Sequence, residues 1–471
     1  MKTTINTWLL FATLFVSIHL SAQTKPNIIH IIVDDVGYDD IGCFGAWDIK
    51  TPNLDKLASE GLIFTNFYAP HPTCTPTRAA ILTGRYAMRM NKNTGLDVLW
   101  PYDTTGLSPK NEIAIPVLLK KAGYTSAMIG KWHLGHQAQF LPLNHGFDMF
   151  YGLAYPNDHG PERYNNANTL NLPPIQLFEG NKAIASLDNN QLAELPAQFV
   201  RKVCAFIREQ SKSGTPFYLQ YGNIETHTPW FLPKGFEGQS KAGAYGDAVE
   251  YMDRSIGIIL KQLKDAKLDQ NTLVIITSDN GPLVKMSEEL ENCYGKYAVV
   301  DTIRAKKHKL RDGKTSAKFE GGTKVSCVMR WPGVIPSNSK SEHITDGTDL
   351  FTTLLTIAGI AVPNDRVIDG KNILELMKSP KTAAPVRDIF FCSKGRAGIY
   401  GVRQGKWKLA VVKQQEWWPT PVVKTMLYNL ESDPKESTDL SAKYPDKKTE
   451  LLKMYEEAEK NLIGDKELRR F

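Results

Sequence analysis

Residues Asn27 to Val33 (NIIHIIV) form an almost continuous apolar, β-branched run, the pattern of a strand buried on both faces. The run stops at Asp34-Asp35. Thr51-Pro52 then opens a helix with a capping residue and a proline in its first turn, Leu54, Leu57 and Ala58 share one face, and Gly61 closes it. The alternation recurs along the chain. Tyr124 to Ile129 reads as a short strand running into Gly130-Lys131-Trp132-His133, and Phe217 to Tyr221 as another, followed by Glu225-Thr226-His227-Thr228-Pro229-Trp230. A helix with Val249, Met252, Ile256, Leu260 and Leu263 on one face leads to a strand over Leu273 to Thr277, which ends in Asp279-Asn280-Gly281. This order predicts an α/β fold, a large mixed but mostly parallel sheet sandwiched by helices. Ligands of such sheets bind beyond the carboxyl ends of the strands. A single Asp-Asn-Gly is most simply a turn, but four strands delivering Asp/Asp, Lys/His, His and Asp/Asn to one edge point to an active site.

At 471 residues the chain has room for two or three structural units. Its 42% hydrophobic and 23% charged residues describe an ordinary globular protein. The net charge of +7 suits an anionic substrate, but no concentrated basic face argues for nucleic acid. Lys2, the apolar stretch Trp8 to Leu20 and the small residues of Leu20-Ser21-Ala22 read as a signal peptide over 1–22, cut before Gln23. The stretch is shorter than the roughly 20 residues of a membrane span. No later segment reads as a span, and no cysteine at the cut marks a lipid anchor. An exported protein, periplasmic or secreted, is expected. The main domain is expected over 23–378, and Ser379 to Pro385 (SPKTAAP) reads as a linker. A smaller C-terminal α+β subdomain over 386–471 carries a hairpin, Gly398 to Arg403 with Trp407 to Val412, a strand near Leu427 to Leu430 and a helix over Glu450 to Leu462. The six cysteines, at 43, 74, 204, 293, 327 and 392, are too scattered for a disulfide scaffold or a zinc pattern.

One of these cysteines opens the stretch Cys74-Thr75-Pro76-Thr77-Arg78, continued by Ala79-Ala80-Ile81-Leu82-Thr83-Gly84-Arg85. Cys-x-Pro-x-Arg followed by Leu-Thr-Gly-Arg closely resembles the signature of the type I, formylglycine-dependent sulfatases. The Asp pair, Gly-Lys-Trp-His, His-Thr-Pro, Asp-Asn-Gly and Glu320-Gly321-Gly322 follow in that family's order, over about residues 26 to 335. The resemblance implies an alkaline phosphatase-like fold and conversion of Cys74 to formylglycine by a maturation enzyme. It also implies one calcium ion held by Asp34, Asp35, Asp279, Asn280 and a hydroxyl of the modified residue 74. An all-oxygen, carboxylate-rich set suits such a hard cation.

The activity implied is hydrolysis of sulfate esters, in a sulfated carbohydrate, through a covalent sulfate intermediate. By the same resemblance, Asp279 helps deprotonate the attacking hydroxyl and His227 protonates the leaving alcohol. His133 takes the proton of the second hydroxyl, Arg78 orients the formylglycine, and Lys131 pairs with the sulfate. The family's further lysine falls five residues before the Glu-Gly-Gly glutamate, where this chain has Thr315. Lys314, one residue back in Asp312-Gly313-Lys314, is preferred to its rival Lys318. Lys324 and Ser326 replace an Arg and a Pro usual after Gly322. The aperiodic stretch Tyr155 to Gly180, with Asp158, His159 and Arg163, reads as a substrate-selecting loop. The basic run Arg304 to Lys314 reads first as a solvated surface segment and second as a polyanion contact, and Trp417-Trp418 as sugar-stacking or interdomain packing. Two other functions fit: a phosphonate or phosphate monoester hydrolase of the same superfamily, and a non-catalytic carbohydrate-binding relative whose Cys74 stays a thiol.

Overall fold

The computed structural model describes residues 25–90, 95–160, 172–285, 298, 306–393, 398–414 and 422–463. The signal-peptide segment, Arg163, Cys293, Arg304 and Trp417-Trp418 lie outside the described residues. Eleven strands build one sheet: β1 (Asn27–Val33), β2 (Leu62–Tyr68), β3 (Thr125–Lys131), β4 (Met149–Leu153), β5 (Ile175–Glu179), β6 (Lys182–Leu187), β7 (Phe217–Gly222), β8 (Thr272–Ser278), β9 (Lys324–Arg330), β10 (Ser339–Ser341) and β11 (Thr345–Asp346). Their order is β10-β2-β9-β8-β1-β7-β3-β4-β5-β6, with β11 beside β2. From β8 through β1, β7 and β3 to β4 every neighbour is parallel, so these strands end at one edge.

The opening run occupies the centre of this sheet, and its two-residue period divides two cores. Ile29 and Ile31 face the long helices Asn189–Ser213 and Gly243–Asp265, meeting Phe199, Val203, Val249, Met252 and Ile256. Ile28 and Ile32 face the other side, with Ala80, Leu118, Phe351 and Leu354 from the helices Cys74–Thr83, Ile115–Lys121 and Asp349–Ile357. All four isoleucines are fully buried, and each such side chain contributes about 1.5–3 kcal/mol relative to exposure. His30 is the polar member of the run. Its Nε2 lies 2.9 Å from Thr277 Oγ1, and burial, with nearby Arg78, pushes its pKa down to about 3, so the ring is neutral.

Two local expectations change. The Thr51 hydroxyl makes no cap to the helix Pro52–Ser59, because it donates to Asp55 Oδ1 at 3.2 Å and accepts from Gly42 N at 2.8 Å. The stretch Tyr155 to Gly180 is not loop throughout. Ile175–Glu179 pairs antiparallel with β4 as strand β5, its alternation of buried and exposed residues too short to stand out in the sequence. Among the described residues, no helix is long and apolar enough to cross a membrane.

A second, antiparallel sheet runs β12 (Ile389–Ser393), β13 (Ile399–Gln404), β14 (Trp407–Gln414), β15 (Val422–Asn429), with the helix Pro445–Ile463 packing Leu451 and Tyr455 against Leu409 and Leu427. It joins the large sheet through buried charges. The Glu320 carboxylate accepts from Tyr68 Oη at 2.5 Å and from Lys408 Nζ at 2.9 Å, and Lys408 also pairs with Glu436 at 2.9 Å. Glu436 in turn accepts from the Glu320 backbone N–H at 2.7 Å. Burial works to raise the Glu320 pKa, but Lys408, Arg403 and Lys324 outweigh it and bring it to about 2. Lys408→Ala strips the shared cation from two buried carboxylates. It is expected to lower stability by about 3–5 kcal/mol, read as a shift of the denaturant midpoint, and a loss below about 1 kcal/mol would contradict the network.

Candidate active site

The polar residues beyond β8, β1, β7 and β3 converge because the strands are adjacent and parallel. Asp34 and Asp35 follow β1, Lys131 ends β3, Thr226 and His227 follow β7, and Asp279 and Asn280 follow β8. Closeness of the strands requires glycine at Gly130, where φ is +92° and a Cβ would lie 2.1 Å from the Gly222 carbonyl oxygen. After β2 the chain delivers Cys74, first residue of the helix Cys74–Thr83, to the same edge. The turn Glu320–Thr323 before antiparallel β9 brings its glycines there too, and Gly281 N donates to Gly322 O at 3.0 Å.

Ion pairs hold these groups together out of water. Arg78 donates from Nε to Asp279 Oδ2 at 2.9 Å, from Nη2 to Asp34 Oδ2 at 3.1 Å and from Nη1 to the Lys131 carbonyl at 3.0 Å. Lys131 Nζ donates to Asp34 Oδ2 at 2.5 Å. Lys314 Nζ donates to Asp35 Oδ2 at 2.7 Å and lies 3.2 Å from His227 Nε2. Lys318 instead points over the Phe319 ring, 5.4 Å from its centroid. The Cys74 thiol lies 3.7 Å from Asp34 Oδ1, and ligand atoms of Asp34, Asp35, Cys74 and His227 all fall within 4.8 Å of one another.

Charge separates the roles of the acids. Burial tends to raise the Asp34 pKa, but Lys131, His227, Arg78 and Lys314 override it and keep the carboxylate ionised. Asp279, pushed up by burial and by the Asp34 charge, reaches about 6. Burial also pushes the Cys74 thiol up to about 12. As a thiol it is therefore a poor nucleophile and a poor metal ligand. The Asn280 Nδ2 donates to Asp35 Oδ1 at 2.7 Å, while its buried Oδ1 has no hydrogen-bond partner among the described residues. With the carboxylates of Asp34, Asp35 and Asp279 this oxygen makes a donor set that fits a hard divalent cation.

The histidines are neutral bases in this setting. His227 is lowered by burial and by Lys131 and Lys314, and its Nδ1–H donates to the Thr228 carbonyl at 2.7 Å, which leaves Nε2 facing Lys314. His133 is lowered well below the usual range by burial and Lys131. Its Nε2–H donates to the Leu99 carbonyl at 2.9 Å, and its buried Nδ1 has no hydrogen-bond partner among the described residues.

Asp158 and His159 are buried beside this group, Asp158 Oδ1 lying 4.0 Å from His227 Nδ1. The sequence did not single out Asn157, whose Nδ2 donates to the carbonyls of His227 and Pro229 at 3.3 and 3.0 Å, nor the Thr226 hydroxyl, which donates to the Asp34 carbonyl at 2.5 Å. Position beside Asp158 and His227 was the only available signal. In the basic run Lys306, Lys307, Lys309 and Arg311 are exposed, as a solvated segment should be, while His308 and Leu310 between them are buried, His308 pairing with Asp39 at 2.8 Å, and Arg311 donates to the Glu436 carbonyl.

The model of the Sulfatase family matches residues 26–360, and that of the N-sulphoglucosamine sulphohydrolase C-terminal region matches residues 307–463. The N-acetylgalactosamine-6-sulfatase of Canis lupus familiaris is 38% identical over 366 residues, covering 76% of this chain and 66% of that protein. Arylsulfatase A of Bos taurus is 35% identical over 418 residues, covering 84% and 76%. The crystal structure of PsFucS1 sulfatase from Pseudoalteromonas sp. aligns with a TM-score of 0.79 at 25% identity, over 93% of this chain and 91% of that one. The chain thus spans 66% of the length of the N-acetylgalactosamine-6-sulfatase it matches.

Proposed function

This chain belongs to the sulfatase family of sulfuric ester hydrolases, and on that premise we propose that it hydrolyses sulfate esters of a carbohydrate with Cys74 matured to formylglycine and a calcium ion bound. The observation that carries the reading is the buried meeting of Cys74 with three carboxylates, three cations and two neutral histidines. A sulfate ester is an anion with a poor leaving group, and this set answers each of its demands.

The hydrated aldehyde would supply two hydroxyls at position 74, and a calcium ion, which Asp34, Asp35, Asp279 and Asn280 would hold, would supply positive charge to offset that of the sulfate. The chain's own residues do the rest. Asp279 Oδ2 is held by Arg78, so Oδ1, which among the described residues accepts only a 3.4 Å contact from Asp35 N, is the oxygen placed to take a proton. Lys131 and Lys314 bind the sulfate as preorganised cations, each worth about 3 kcal/mol to a developing charge. An anionic ester beside His227 favours its imidazolium, and Nε2–H then protonates the leaving oxygen with Lys314 as neighbour. His133 Nδ1 accepts the proton of the second hydroxyl. We place the protein outside the cytoplasm, matured by a formylglycine-generating enzyme, with a catalytic unit over 23–378 and a smaller one over 386–471.

The sugar reading is supported by the substrate named for the N-acetylgalactosamine-6-sulfatase relatives. The test is a panel of defined sulfated oligosaccharides and 4-nitrophenyl sulfate, each assayed beside its matched phosphate ester. Sulfate esters are expected to be turned over with kcat/KM at least about tenfold above the phosphates, a difference of about 1.4 kcal/mol. A preference for phosphate would overturn the reading.

A further inference from the structure

The chemistry above uses Lys314 but gives no part to the basic residues that precede it. His308 and Leu310 are buried while Lys307, Lys309 and Arg311 beside them are exposed, so the buried pair anchors the segment and its cations face water. Lys306, also exposed, starts the row. Exposed Lys435 meets it from the C-terminal unit and donates from Nζ to the Lys306 carbonyl at 3.2 Å.

A charged run is usually no more than a solvated face, but most of these cations are held in place, and by neutral groups. Lys307 Nζ lies 4.7 Å from the centre of the Trp47 ring, and Lys309 Nζ donates to the Phe44 carbonyl at 2.9 Å. Arg311 donates to the Glu436 carbonyl at 2.8 Å, with its guanidinium 3.8 Å from the Phe319 ring centroid. Carbonyls and rings orient a cation without cancelling its charge. Among the described residues none of the five cations is ion-paired with a carboxylate, and the neighbouring Asp39 pairs with His308 instead. Lys306, Arg311 and Lys435 line a cavity of about 430 Å³, in which Asp312 is the one acid among the described lining residues.

Position ties this face to the active site. The Lys309 N–H donates to Asp39 Oδ2 at 2.9 Å in the loop after β1, and the Lys314 N–H to the Pro282 carbonyl at 2.8 Å after β8. The segment therefore crosses the edge where the catalytic groups meet. Five residues separate Lys309 from Lys314, which limits the distance between their Cα atoms to about 18 Å. A polymer with one sulfate at Lys314 thus has the other cations within reach of its next few sugars.

We propose that Lys306, Lys307, Lys309, Arg311 and Lys435 form a second anion-binding face for a sulfated polysaccharide, holding sulfates or carboxylates of the chain other than the ester being cleaved. This rests on the carbohydrate-sulfate reading above, and the row's continuation into the Lys314 site favours such a polymer over nucleic acid. Each exposed contact is weak and screened by salt, so several charges have to change together.

The probe is chondroitin 6-sulfate, bound to full-length Cys74→Ala protein so that nothing is turned over. Adding Lys306→Glu, Lys307→Glu and Lys435→Glu together is expected to raise Kd at least about tenfold at about 50 mM salt and to flatten its rise with salt. Arginine at the same three positions keeps the charge and should bind as the parent protein does. Lys121→Glu, Lys212→Glu and Lys264→Glu make the same change in net charge in the last turns of the helices that lead into β3, β7 and β8, at the opposite end of those strands. This control should raise Kd less than about twofold. No binding by the parent protein, a Kd unchanged by the first triple, equal losses in the two triples, or tighter binding of duplex DNA than of the polysaccharide overturns the proposal. In the matured enzyme the first triple should leave KM for 4-nitrophenyl sulfate within about twofold, and a larger rise would put the effect in the active site and overturn it too. Release of sulfate from no sugar of the panel overturns the carbohydrate reading, whereas the binding measurement needs no turnover and decides this face separately.

Discussion

Cys74→Ala is expected to abolish sulfate-ester hydrolysis, lowering kcat by at least about 10⁴-fold, as loss of a nucleophile does elsewhere. The side chain is small and 2% exposed, so the fold should persist and the melting temperature should move only a few degrees. A stronger form of the same prediction concerns unmatured protein. Burial pushes the Cys74 thiol up to about 12, so at pH 7 it stays protonated. Protein made without the maturation enzyme should therefore be as inactive as the alanine variant, although every other side chain is in place. Peptide mass spectrometry across residue 74 gives the aldehyde fraction, and kcat per molecule should rise in proportion to it. Full activity in a preparation that is wholly thiol would refute the formylglycine role and leave Cys74 an ordinary buried cysteine.

The strands that carry chemistry were legible because burial on both faces writes an unbroken apolar run and because each run stops at charged residues. Asn27–Val33 is found with its predicted limits, and the strand predicted over Leu273 to Thr277 extends by one residue at either end. The helix read from Val249 to Leu263 is also present, within a longer element, since its face packs in a 3.6-residue period. The antiparallel hairpin of the small sheet, β13 with β14, was legible from its turn, but the edge and antiparallel strands of the large sheet were not. In β6 (KAIASL) no residue is buried, and β9 begins directly after the Glu-Gly-Gly turn with no break in composition. The helix Asn189–Ser213 escaped notice although Asp188 and Gln191 form a capping box, because Pro196 interrupts its pattern.

The same division holds at the active site. Residues whose motif order resembles the sulfatases could be named one by one. Their pairing could not, because it depends on which strands are neighbours: Arg78 bridges Asp34 and Asp279, which lie 245 residues apart in sequence but just beyond the ends of adjacent strands. Lys314 was a choice between two lysines on sequence grounds. What separates them is the turn that bonds Lys314 N to the Pro282 carbonyl at 2.8 Å and sends its side chain to Asp35.

Two replacements of Asp279 are expected to separate metal holding from proton transfer. In the free chain the buried carboxylates of Asp34, Asp35 and Asp279 are matched by Arg78, Lys131 and Lys314, so a divalent cation enters a site with no net negative charge to spare. Asp279→Ala removes one ligand and one charge and leaves Arg78 in excess. Calcium affinity is then expected to fall by more than the 10- to 100-fold (roughly) seen for losses beyond the ligand shell, with kcat/KM down at least about 10³-fold. Asp279→Asn keeps an oxygen at the same place but can neither carry the charge nor take the proton. It should retain part of the calcium affinity while losing hydrolysis almost as fully as the alanine variant. Calcium bound after desalting, together with the rise in melting temperature on adding calcium, reads the first property without reference to turnover. At a hundredfold excess over Kd that stabilisation is about 2.7 kcal/mol for one site. If Asp279→Ala binds calcium as wild type does, Asp279 is no ligand. If Asp279→Asn keeps full activity, the proton goes elsewhere, and the raised Asp279 pKa reflects only its burial beside Asp34.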